Sequence, residues 1–275
     1  MIAAAALVAV AVTAWLLLRP GAVLGPVNRH GAQVEHLTIN SSAVGERLPV
    51  SVVVPKGGSS SSRGLLVFLH GRGQDENTFL DNEMFSALSA LGAKAPVVAF
   101  PYGGDHSYWH NRADGSWGTY VTDEVIPAVE KRVHTDPDRV AIGGVSMGGF
   151  GAYDLALLNP GRFCAVGGHS PALWQSAEET APGAFDDAED FDAHNVIAGV
   201  PSQPSAFTGQ PVWLDAGDED PFIPGDQAFT AALHSAGAPL TERHWPGGHD
   251  EGYWNSHWDA YLRFYANALS QCGQA

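Results

Sequence analysis

Gly144-Val145-Ser146-Met147-Gly148 stands between an apolar run of strand character and a stretch with helical periodicity, and this placement narrows the folds open to the chain. A serine in a tight strand-to-helix turn needs neighbours without side chains, because the two backbones approach closely there. Gly144 and Gly148 supply that clearance, and Gly149 and Gly151 extend it into the first helical turn. The strained turn aims the hydroxyl out of the sheet.

The surrounding pattern agrees with such a turn. Residues 34–40 and 48–54 read as two strands joined by a polar turn, and 56–63 (K-G-G-S-S-S-S-R) as a surface loop. Residues 65–69 are continuously apolar, as in a strand buried on both faces of a parallel sheet. Strands over 97–100, 140–145, 163–167, 211–216 and 240–244 then alternate with helices over 120–133, 147–158, 226–236 and 254–269. In the last helix, Trp258, Leu262, Tyr265 and Leu269 fall near one face. Residues 173–210 break the rhythm. They are acidic, and 185–191 (F-D-D-A-E-D-F) lacks the spacing of a calcium loop, so the segment reads as a solvated excursion over the sheet. The fold class is therefore α/β, a mostly parallel central sheet with helices on both faces. The expected organisation is a hydrophobic anchor or signal segment over 1–19, a linker over 20–32 and a catalytic domain over 33–275.

Charge excludes some functions. Fourteen Lys and Arg stand against 30 Asp and Glu, a formal charge of −16, which disfavours nucleic acid as a partner. Residues 2–18 carry no charge and are long enough to attach the chain to a membrane. Arg19 and Arg29 follow that run and on their own would keep the domain cytoplasmic. Cys164 sits in an apolar run and reads as a small buried hydrophobe, with Cys272 exposed near the C-terminus. Their pairing is the less favoured reading.

A serine hydroxyl reacts only when a base takes its proton. Chain order in folds with this turn is serine, acid, histidine. Of the histidines after Ser146, His249 lies in a glycine-rich loop (P-G-G-H-D) between the last strand and the last helix, whereas His244 falls within the strand and His257 within the helix. The acid belongs after the preceding strand, where Gly217-Asp218-Glu219-Asp220 offers a G-x-x-D spacing that selects Asp220, with Asp218 as the alternative. Backbone N–H groups must meet the negative charge on the substrate oxygen. Met147 N–H at the helix start is one donor, and Arg72 N–H in His70-Gly71-Arg72-Gly73-Gln74 is the other, with Gly73 as its alternative. Tyr108, Trp109 and Trp174, together with Gly73, are the candidate substrate-binding residues, from aromatic-rich loops at the sheet's carboxyl edge. His106 and His110 are four apart but on no expected helix, so no metal site is assigned.

At residues 65–79, 117–129, 143–153, 217–222 and 246–265 the chain resembles the esterase family of S-formylglutathione hydrolases, feruloyl esterases and mycolyltransferases. P-G-G-H-D-E-G-Y-W is similar to that family's histidine loop. The resemblance implies the α/β-hydrolase fold, no cofactor, and a small-molecule or lipid ester as substrate. It also implies an extracytoplasmic domain at the cell membrane or a secreted one, against the arginine bias. Arg72 departs from the apolar residue of mycolyltransferases, which argues against mycolyl transfer. Ester hydrolysis by a Ser146–His249–Asp220 triad is the expected function. A cell-envelope acyltransferase with the same triad and a non-catalytic binding protein on this fold are the alternatives.

Overall fold

Residues 65–69 are apolar at every position because both faces of their strand are covered. Leu65, Val67 and Leu69 enter one hydrophobic layer and Leu66 and Phe68 the other, as alternation along a strand requires. The computed structural model describes residues 26–57 and 63–272. The apolar run at 2–18, and with it the anchor and linker residues 20–25, lies outside them.

Eight strands form one sheet: β1 (Gln33–Asn40), β2 (Arg47–Val54), β3 (Leu65–Leu69), β4 (Val97–Pro101), β5 (Val140–Val145), β6 (Val166–His169), β7 (Val212–Gly217) and β8 (Leu240–Trp245). Their order is β1-β2-β4-β3-β5-β6-β7-β8. β1 pairs antiparallel with β2, and β2 with β4. Every other pairing is parallel. The helices Ile126–Val133, Met147–Leu158 and Ile223–Ala236 cover one face, and Asn82–Ala90 and Trp258–Gln271 the other. Among the described residues no helix is long and apolar enough to cross a membrane.

Several expectations need correction. β6 begins at Val166, three residues later than the apolar run suggests, because pairing starts where Val166 meets both Ile142 and Val212. The closing helix is two, Glu251–Ser256 and Trp258–Gln271, broken at His257. The segment 173–210 is not a solvated excursion. It carries the helices Ala188–Ala193, Val196–Ser202 and Ser205–Thr208, and it buries Phe185, Phe191, Val196, Val200 and Phe207 in the core. Two of its carboxyl groups are held from outside the segment: Asp186 takes the Arg112 guanidinium at 2.7 Å and Asp190 the His110 ring at 3.0 Å. Cys164 is no free hydrophobe. It is bonded to Cys272, with Cα atoms 5.7 Å apart, because β6 begins and the last helix ends on the same edge of the molecule.

Candidate active site

Ser146 leaves the end of β5 with φ 52° and ψ −116°, a left-handed backbone that costs a non-glycine residue of order 1–3 kcal/mol. The crowding expected of its neighbours is present. A Cβ on Gly144 would lie 2.5 Å from Leu69 O, and one on Gly148 would collide with the same carbonyl. Ser146 N–H donates to His169 O at 3.0 Å, which ties the turn to β6.

His249 reaches this serine from a loop after β8. Its Nε2 lies 2.8 Å from Ser146 Oγ and its Nδ1 2.9 Å from Asp220 Oδ2. A carboxyl oxygen against Nδ1 places the ring proton there and leaves Nε2 to accept from the serine. Asp220 is buried, and its other oxygen accepts from Phe222 N–H at 2.9 Å. Burial pushes its pKa up, but the His249 hydrogen bond and charge and the Phe222 N–H outweigh that and hold it below the usual carboxylate value.

Asp218, the alternative acid, faces solvent and does not touch the histidine. Its Oδ1 accepts from Gly247 N–H at 3.1 Å, while Glu219 N–H donates to Gly247 O at 2.9 Å. These bonds stitch the acid loop to the histidine loop. Gly217 has to be glycine at this seam, since a Cβ would strike Gly247 O.

On the other side of Ser146, Met147 N–H opens a helix, where the first amides lack intrahelical partners and the dipole favours negative charge. Among the described residues Arg72 N–H donates to no protein acceptor, whereas Gly73 N–H is taken by Asp105 O at 2.9 Å. Gly73 N–H, the alternative donor, is thereby committed to Asp105.

Of the candidate pocket residues, Tyr108 and Trp174 stand together with ring centroids 5.5 Å apart. Trp174 meets Phe222 at 5.4 Å, and Phe222 meets His249 at 5.0 Å. An aromatic wall thus runs from His249 to Tyr108. Burial raises the Tyr108 phenol above its ordinary pKa, against the charge and hydrogen bond of the Arg72 guanidinium. Trp109 does not fit a substrate-binding role. It is fully buried, its indole N–H donates to His70 O at 3.1 Å, and it packs on the backbone of Gly103 and Gly151. Sequence reasoning missed Phe222 and Trp254, which flank His249, because nothing separates them from ordinary core aromatics until the loops are placed.

A second histidine–carboxyl couple lies beneath the first. His169 and Asp215 face each other in register on β6 and β7, with Nδ1 2.6 Å from Oδ1. Asp215 also accepts from Trp213 Nε1 and from the Tyr253 and Tyr261 hydroxyls. Both members are fully buried and the far ring nitrogen meets Tyr265 OH, so the couple anchors helices to the sheet.

Residues 41–265 match the model of a protein family described as "Putative esterase". The chain belongs to this esterase family. Esterase Rv1288 of Mycobacterium tuberculosis (strain H37Rv) is 24% identical over 266 residues, an alignment spanning 81% of this chain and 57% of that longer protein. In structure the chain is similar to a ferulic acid esterase (TM-score 0.77, 22% identity, 86% of this chain and 99% of that one). It is also similar to an S-formylglutathione hydrolase from Agrobacterium tumefaciens (TM-score 0.76, 18% identity, 87% and 96%). MPT51 (FbpC1) of Mycobacterium tuberculosis follows at TM-score 0.67, 18% identity, and 86% and 99% coverage. At these identities the structural likeness speaks to the α/β-hydrolase fold.

Proposed function

We propose that this esterase-family chain hydrolyses carboxylic esters through an acyl-enzyme intermediate. The continuous hydrogen-bonded path Ser146–His249–Asp220, at 2.8 and 2.9 Å, carries the reading. Ser146 Oγ attacks the ester carbonyl carbon while its proton passes to His249 Nε2. The carbonyl oxygen gains the negative charge and receives hydrogen bonds from Met147 N–H and Arg72 N–H, interactions each worth about 3 kcal/mol in comparable sites. The tetrahedral centre collapses, the C–O bond to the alcohol breaks, and His249 returns the proton to the departing oxygen. Water, deprotonated by His249, then attacks the acyl group and frees Ser146. Asp220 holds the imidazole tautomer and balances imidazolium. Tyr108 and Trp174 wall the acyl or alcohol pocket.

Residues 2–18 would tether the protein to the cell membrane with the domain outside the cytoplasm. The Cys164–Cys272 bond supports that side, since disulfides persist in oxidising compartments.

One experiment tests both proposals. A fluorophosphonate should label Ser146 in the full chain, and Ser146→Ala should lose labelling and several orders of magnitude in kcat on p-nitrophenyl esters. Labelled full chain should sediment with membranes, and a chain begun at Pro26 should stay soluble and active. Esterase activity that survives Ser146→Ala would overturn the mechanism. Faster product release with an added alcohol would mark the acceptor as an alcohol and the chain as a transferase.

A further inference from the structure

We infer that Gln74 is a positioning residue: its side-chain amide clasps the oxyanion loop to the histidine loop and thereby sets the Arg72 N–H. The inference deepens the esterase reading and rests on it. The peptide groups on both sides of Arg72 are committed. Gly71 N–H donates to Gln74 Oε1 at 2.8 Å, and Gly73 N–H to Asp105 O at 2.9 Å. Gln74 N–H closes the turn onto Gly71 O at 3.2 Å. These bonds leave Arg72 N–H as the uncommitted amide between two fixed neighbours.

The same side chain reaches the other half of the site. Gln74 Nε2 donates to Glu251 Oε1 at 3.2 Å, and Glu251 opens the helix that follows His249. Both partners demand one orientation of the amide, because an N–H needs the carbonyl oxygen and a carboxyl oxygen needs the NH2. Gly71 lies between the clasp and Ser146. A Cβ on Gly71 would be 3.0 Å from Gln74 Oε1 and 3.4 Å from Ser146 Cβ. A side chain that links the donor loop to the base's loop controls where the oxyanion donor stands relative to Ser146. Donor placement acts on the charged tetrahedral state more than on the bound ester.

The test measures kcat, KM and the affinity of an aryl trifluoromethyl ketone, whose adduct with Ser146 carries an oxyanion. Gln74→Ala should lower kcat about 10- to 100-fold and weaken the ketone by a similar factor, with KM changed less than about threefold. Gln74→Glu keeps the size and the acceptor but sets two carboxyl groups together, and it should also be slow. The pair Q74E/E251Q exchanges amide and carboxyl and should recover most of the loss, a rescue that a general folding role would not give. The isosteric variant and the pair keep the test readable if Gln74→Ala unfolds. Unchanged kcat and ketone affinity in Gln74→Ala and Gln74→Glu, or a loss that Q74E/E251Q leaves unrepaired, overturns the inference. Fluorophosphonate labelling of the unaltered protein separates the two failures: labelling at Ser146 with an unaffected Gln74 variant sinks the clasp alone, and absence of labelling sinks the esterase reading.

Discussion

Asp218 and Asp220 are two residues apart on one turn, yet they face different work. Asp220 points inward to His249 at 2.9 Å, and Asp218 points outward to the Gly247 amide at 3.1 Å. Losing the first removes the partner that fixes the imidazole tautomer, and in Ser-His-Asp enzymes this change costs about 10⁴-fold in kcat. Losing the second loosens a solvent-facing loop contact, worth about 1 kcal/mol. Asp220→Asn is therefore expected to lower kcat by about three to four orders of magnitude and Asp218→Asn by less than about tenfold. Equal losses in steady-state kinetics would mean that the loop seam matters as much as the tautomer. The G-x-x-D spacing favours Asp220 over Asp218, and the Nδ1–Oδ2 contact of the fold lies on the same residue. It was silent on the use made of Asp218, which depends on a backbone 29 positions away.

At the scale of elements, the loop leaving β3 carries a built-in acid sensitivity. His70 is buried, its Nδ1 bonds Gly71 O at 2.8 Å, and its Nε2 accepts from Gly103 N–H at 3.0 Å. Burial dominates these contacts and lowers its pKa from 6.5 to about 4. Between those values the unfolded chain binds a proton that the folded chain refuses. The stabilising contribution is complete above about pH 6.5 and is lost as pH falls toward 4. Each pH unit in that interval is worth about 1.4 kcal/mol, so the loss totals on the order of 3 kcal/mol. Urea titrations of wild type and His70→Asn at pH 7 and pH 4.5 should show the wild type losing more stability of the two. The comparison needs the variant, because Asp81, raised by burial to about 6, gains stability as the pH falls. Parallel losses would show that His70 protonates freely in the folded loop. Element boundaries were legible where period and glycine punctuation agreed, as for β3, β5 and the helix Met147–Leu158. They failed at residues 173–210, because acidic composition hid a set of buried phenylalanines, beside which Asp186 pairs with the Arg112 guanidinium and Asp190 hydrogen-bonds the His110 ring.

Across the whole molecule, the Cys164–Cys272 bond joins the lead-in to β6 to the end of the last helix over 108 residues. Cross-links of this span restrict the unfolded chain and typically stabilise by about 2–4 kcal/mol. Cys164 N–H bonds Val140 O at the start of β5, whereas Ser146 follows that strand's far end, about 20 Å away at the usual rise per residue. Cys272→Ser should lower the urea midpoint by an amount matching that loss and leave kcat of the folded protein unchanged. A midpoint that does not respond would mean the folded protein lacks the bond.

The sequence alone determined the sheet-and-helix class, the serine turn and the histidine loop, since each rests on short-range physics: alternation, glycine clearance and chain order. Only the tertiary structure decided the rest. Gly73, the alternative donor, gives its N–H to Asp105 O, Trp109 packs where the helix Met147–Leu158 leaves room at Gly151, and the two cysteines meet because β6 begins and the last helix ends on one edge. Such contacts join residues tens of positions apart, and local propensity carries no term for them.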